Sequence, residues 1–166
     1  VARSARGFGM RVLAVDTHAD EQQAAELGVI ITDAKTLLRE SDVISNHMNL
    51  TAENWHFFDD AGFAAMEKHP IFLNVSRGGS VDEAALVRAL DNGLIRAAGL
   101  DVLEAEKPDL EKCALIGREN VILTPHAAFY SARSIEALQR MSCHNLTDCL
   151  TGNRAHAFKI INGVSI

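Results

Sequence analysis

The sequence predicts an α/β fold, a doubly wound and mainly parallel sheet followed by a C-terminal helix. Three observations carry that reading. Short runs rich in β-branched and aromatic residues alternate with helical patterns, and no period repeats. The central run, Ile71-Phe-Leu-Asn-Val75, passes into a polar turn, Ser76-Arg77-Gly78-Gly79-Ser80, and then into a helix start. Polar residues gather just behind the apolar runs, where open α/β sheets bind their ligands.

Each element can be justified in order. Residues 1–8 read as the end of a helix. Residues 10–15 form a strand closed by Asp16, residues 19–27 a helix with Gly28 as its stop, and residues 29–31 a short strand. Asp33 can cap a helix over 34–39 by accepting from its first free backbone N–H groups. Residues 43–47 make the next strand. Asp59 or Asp60 opens a helix through Met66, and Pro70 separates it from 71–75, which reads as a buried parallel strand. Gly78 and Gly79 allow a sharp turn. Ser80 and Glu83 have capping-box spacing for a helix through Leu90, with Gly93 as its stop. Strands follow at 97–102 and 121–123, the last running into Thr124-Pro125-His126. Ser131 caps a long helix over 131–150, with Gly152 behind it. Its imperfect apolar stripe of Ile135, Leu138, Met141, Leu146 and Leu150 reads as a packing face. The tail 153–166 has no strong pattern, and a boundary falls near Ala127 or Ala128.

At 166 residues the chain fits one domain, or one domain and an appendage. Its net charge of −6, with no cluster of lysine or arginine, argues against nucleic acid or an anionic membrane as partner. No apolar run approaches the roughly 20 residues of a membrane span, and no signal-peptide pattern opens the chain. Three cysteines, Cys113, Cys143 and Cys149, lack CxxC spacing. Neither disulfides nor a zinc site is expected, and a cytoplasmic location is. His18, His47, His56, His69, His144 and His156 show no spacing that argues for a metal.

The strand ends carry the chemistry. In dinucleotide-binding folds an acid placed like Asp16 accepts hydrogen bonds from the adenosine ribose. An aspartate in that position can equally be a turn residue. The Gly-x-Gly-x-x-Gly loop that usually precedes such an acid belongs upstream of residue 1. Arg77, Asp101, Glu106 and His126 lie at or after later strand ends, which share one edge in a parallel sheet. A cation, carboxylates and a histidine meeting there suggest an anionic-substrate clamp and an acid/base histidine. Taken singly, Arg77 could be a surface arginine and His126 a turn histidine behind proline.

Together these stretches resemble the nucleotide-binding half of the D-isomer-specific 2-hydroxyacid dehydrogenases. The resemblance runs in family order through Ala5-Arg-Gly-Phe-Gly-Met-Arg-Val-Leu-Ala-Val-Asp16, Asn74-Val-Ser-Arg-Gly-Gly-Ser-Val-Asp-Glu83, Ala98-Gly-Leu-Asp-Val-Leu-Glu-Ala-Glu106 and Leu123-Thr-Pro-His-Ala-Ala-Phe-Tyr-Ser131. The last motif is most similar to the branch of the C-terminal-binding-protein corepressors and their bacterial relatives. The resemblance implies a Rossmann-like fold that binds NAD and acts on a small 2-hydroxy or 2-oxo acid. It implies that Arg77 holds the substrate carboxylate, that His126 is the general acid/base, and that Glu106 pairs with it. Glu104 is the alternative partner, because Lys107 intervenes before Pro108 where the family has Glu-x-Glu-Pro. Asp101 is implied to bind the nicotinamide amide and Asp16 to select NAD. Met48, Asn54, Val75, Ser76, Arg77, His126 and Ala128 are implied to line the cofactor cleft. It further implies a homodimer, with residues 1–127 as an NAD-binding domain lacking its first strand and glycine loop. Residues 128–166 then belong to the region between that domain and a substrate domain. The chain alone is not expected to catalyse. A corepressor-like NAD-sensing module or an inactive truncated product are the alternatives.

Overall fold

A computed structural model describes residues 1–153; the tail read above lies outside them but for Asn153. The chain divides into two units, Val1–His126 and Ala127–Ile166.

The first unit alternates helices with parallel strands. The helices are α1 (Ala2–Gly7), α2 (Glu21–Leu27), α3 (Ala34–Glu40), α4 (Asp60–Ala64) and α5 (Glu83–Asp91). The strands are β1 (Val12–Ala14), β2 (Val29–Ile31), β3 (Val43–Asn46), β4 (Ile71–Asn74), β5 (Ala97–Leu100) and β6 (Val121–Leu123). The strands form two parallel ladders: β1 with β2, and β3-β4-β5-β6 in that order. A doubly wound sheet would place one more strand between them, and no described strand occupies that place.

The helices start where short polar side chains can accept from orphan N–H groups. Asp20, Asp33 and Asp59 cap α2, α3 and α4. Gly28 closes α2 in the left-handed region, at φ 67°. The expected cap of α5 is corrected. Asp82, not Ser80, caps it by accepting from Ala85 N, while Ser80 is buried in a 3-10 turn, Gly78–Ser80. The role of the two glycines there is corrected as well. Neither has a positive φ; what they supply is room. A Cβ on Gly78 would lie 1.8 Å from Leu103 O, and one on Gly79 would lie 2.4 Å from the Trp55 ring.

The core sits under the four-stranded ladder. Register aligns Ile44, Phe72 and Ala98 across β3, β4 and β5, and all three are buried. Phe72 meets Phe58 and Phe63 edge-on, with centroids 4.8 and 5.4 Å away. Ala85, Leu86, Ala89 and Leu90 of α5 join the same cluster. The reading of 71–75 as a uniformly buried strand is corrected. Only Phe72 and Asn74 are buried, because successive side chains point to opposite faces and the second face is only partly covered.

In the second unit, Ser131 caps α6 (Ala132–Leu150) through a capping box with Ser134. No residue of α6 is buried, so the packing face read from its apolar stripe stands exposed at Leu138, Met141, Leu146 and Leu150.

Candidate active site

The parallel direction of β3 to β6 puts their carboxyl ends on one edge. Behind β4 come Val75, Ser76 and Arg77. Val75 and the Arg77 side chain are exposed, and Arg77 Nη1 donates to Ser76 O at 2.8 Å. Ser76 Oγ donates to Met48 O, which joins the segments behind β3 and β4. Asn54 closes its own turn behind β3, accepting from Thr51 N at 2.8 Å and donating to Asn49 O at 2.6 Å.

Asp101 follows β5 and is buried. Its backbone N donates to Asn74 O at 2.9 Å, and its carboxylate accepts from Thr124 Oγ1. His126 N donates to Asp101 O at 2.8 Å, so the loops behind β5 and β6 meet there. His126 has φ 53°, a left-handed backbone that a non-glycine residue rarely adopts. Its side chain is exposed, as is that of Glu106. Asp16 stands apart from this group, at the end of β1 in the other ladder. Its carboxylate is exposed and accepts from His18 N at 2.8 Å. Ala128 lies in the second unit.

Glu104, the alternative to Glu106, is otherwise engaged. Its Oε1 lies 3.2 Å from His56 Nε2, although the pair lacks hydrogen-bond alignment. Its backbone N donates to Glu83 Oε1 at 2.5 Å. His47, just behind β3, has its imidazole pKa lowered, chiefly by desolvation.

Sequence reasoning missed the polar group under this edge. Asn46, Asn74 and Ser80 are buried, and Asn46 donates to both of the others. A signal existed: Ile44 and Phe72 point into the core, so Asn46 and Asn74, two residues further along each strand, fall on the same buried face. Among the described residues no group of three or more His, Cys, Asp and Glu could hold a metal ion. None of their helices is long and apolar enough to cross a membrane.

A parallel α/β sheet with an acid behind one early strand and a cation, an acid and a histidine behind later ones is a Rossmann-like dinucleotide-binding domain. The chain belongs to the D-isomer specific 2-hydroxyacid dehydrogenases, whose NAD binding domain matches residues 1–128. It is 42% identical over 146 residues to a glyoxylate reductase of Korarchaeum cryptofilum, covering 88% of this chain and 44% of that protein. It is 36% identical over 162 residues to a D-lactate dehydrogenase of Escherichia coli, covering 90% and 49%. The crystal structure of D-lactate dehydrogenase from Aquifex aeolicus, complexed with NAD and lactic acid, superposes with a TM-score of 0.89 at 32% identity. That match covers 99% of this chain and 54% of the other. The chain thus spans about half the length of the relatives it matches.

Proposed function

We propose that the protein carrying this domain is an NAD-dependent oxidoreductase that transfers a hydride between nicotinamide and C2 of a D-2-hydroxy acid or its 2-oxo acid. The observation that carries this reading is the shared edge, where Arg77, Asp101 and His126 follow the ends of neighbouring parallel strands. In this reading residues 1–127 bind NAD, and residues 128–166 belong with the region that faces a substrate domain.

Arg77 holds the substrate carboxylate and carbonyl oxygen, for which a planar charged fork is suited. His126 gives a proton to the C2 oxygen during reduction and takes it back during oxidation. Glu106 pairs with His126 and orients its ring. The engagement of Glu104 with His56 supports Glu106 in this role. NADH, when bound, supplies the hydride. Asp101 binds the nicotinamide amide, and Met48, Asn54, Val75, Ser76 and Ala128 line the cleft. Asp16 fits the ribose, because an exposed carboxylate at a strand end can accept from hydroxyl groups and repels a 2′-phosphate.

The motif from His126 to Ser131 supports the corepressor-like branch. We place the protein there as a cytoplasmic homodimer. The test is NADH-dependent reduction of 2-oxo acids by the full-length protein. His126→Ala and Arg77→Ala should each lower kcat/KM by about 10²-fold or more. A near-normal rate from either variant removes that residue from the mechanism. NAD-dependent dimerisation with no turnover of any 2-oxo acid would instead favour an NAD-sensing binding module.

A further inference from the structure

The polar group under the sheet edge has a geometry that points at one residue. Asn46, Asn74 and Ser80 are 3%, 1% and 0% exposed and come from the ends of β3 and β4 and from the 3-10 turn. Asn46 and Asn74 are register partners. Asn46 Nδ2 donates to Asn74 Oδ1 at 3.1 Å and to Ser80 Oγ at 2.7 Å. Asn74 Nδ2 donates to Arg77 O at 3.0 Å, and Ser80 Oγ donates to the same carbonyl at 2.7 Å. The Arg77 carbonyl therefore accepts from two side chains, and Ser80 N also donates to it at 3.5 Å. Asn74 Oδ1 also accepts from Ser76 N at 3.2 Å, one peptide before Arg77. Asn46 Oδ1 accepts from Met48 N at 3.0 Å.

The proton directions are consistent throughout. Asn46 spends both amide hydrogens inside the group, and Ser80 accepts one bond and spends its only proton on Arg77 O. Three polar side chains this deeply buried would be costly if any bond were missing. The group holds the backbone on both sides of the Arg77 Cα and leaves its guanidinium at the surface.

We propose that Asn46, Asn74 and Ser80 are positioning residues for Arg77, fixing its main chain so that the guanidinium meets the substrate carboxylate without reorganisation. This rests on the reading of Arg77 as the carboxylate-binding residue. Holding a binding group in place before the substrate arrives keeps the ordering cost out of the reaction, and misplacement by about 1 Å can cost about 10²-fold in rate.

The experiment is a double-mutant cycle in the full-length protein between Ser80→Ala and Arg77→Ala, read by kcat/KM for the 2-oxo acid and by NADH affinity. Ser80→Ala alone should lower kcat/KM by about 10- to 100-fold and raise KM for the 2-oxo acid, with NADH affinity unchanged. In the Arg77→Ala background the same substitution should have almost no further effect, because the side chain it positions is gone. Ser80→Thr, which keeps the hydroxyl, should recover most of the loss. An equal Ser80→Ala effect with and without the Arg77 side chain would overturn the proposal, as would a parallel loss of NADH affinity. If Arg77→Ala itself retains full activity, the reading of Arg77 fails instead. Should Ser80→Ala not fold, Asn46→Ala carries the same cycle, read by kcat/KM alone, because Asn46 also accepts from Met48 N in the cofactor cleft. If neither folds, the group serves folding alone and the proposal falls.

Discussion

The two parallel ladders obey the same local rules and differ in what covers them. In the four-stranded ladder β3, β4 and β5 each bury alternate residues, and the cluster beneath them runs from Leu38 to Leu115. In the β1–β2 ladder no residue is buried, nor is any residue before Leu38. Both ladders have capped helices and regular parallel register. Caps and register therefore shape an element, whereas burial sets how firmly it is held. The candidate site is split by the same contrast. Arg77, Asp101 and His126 rest on the packed ladder, and Asp16, proposed above for the adenosine end of the cofactor, rests on the open one.

The largest effect that sharpens this comparison is in the core. Phe72→Ala removes a fully buried ring from an edge-on cluster and should destabilise the chain by about 3–5 kcal/mol in urea unfolding. Leu13→Ala, at the centre of half-buried β1, should cost about 1 kcal/mol, because that side chain still meets water. Equal costs would mean that the two ladders are equally well packed and would break the comparison.

Next in size is Gly78→Ala. The new methyl would press on the Leu103 carbonyl, so backbone must move, and overpacking of this kind costs about 1–3 kcal/mol or more. Because the 3-10 turn lies directly behind Arg77, substrate KM should rise along with the loss in Tm. A Tm close to that of the parent would show that the segment behind β5 yields easily, and the packed ladder would then be softer at its site edge than at its core.

What the sequence made legible was local. Asp33, Asp59 and Ser131 are recognisable as caps because the signal lies within a single helical turn. The strand cores at 29–31 and 121–123 follow from their apolar, β-branched residues. The motifs placed Arg77, Asp101 and His126 at strand ends because the parallel direction of the sheet fixes which end is which. Long-range partners were hidden. Ser80 has the spacing of a cap, yet its hydroxyl binds Asn46, a residue far away in sequence. The glycines of the turn suggest unusual backbone angles, yet their role is to leave space for Leu103 and Trp55. The engagement of Glu104 with His56 depends on two loops meeting, which no spacing encodes.

The smallest effect concerns charge, and it tests whether the open ladder yields first. Glu40 is held below the usual carboxylate range by Arg39 and then Arg11, and Asp33 by the N–H and hydroxyl of Thr36. Both flank the β1–β2 region, and the Arg11–Glu40 pair links the start of β1 to the end of α3. On the packed side Asp60 is lowered by Arg88, and Asp91 by Arg118. A carboxylate with a lowered folded pKa contributes its full stabilisation above its unfolded value of about 4, and loses it as pH falls through the folded value. Acid should therefore weaken both regions, but only the packed ladder has a core in reserve. Hydrogen-exchange protection factors should fall first in residues 12–31 as pH drops from about 6 to below 4, while β4 and β5 stay protected. Salt should reproduce part of this at neutral pH by screening the exposed Arg11–Glu40 pair, and should leave the Asp33 cap unaffected. If protection is lost in all six strands at the same pH, the two ladders unfold as one unit, and the contrast in burial does not govern their stability.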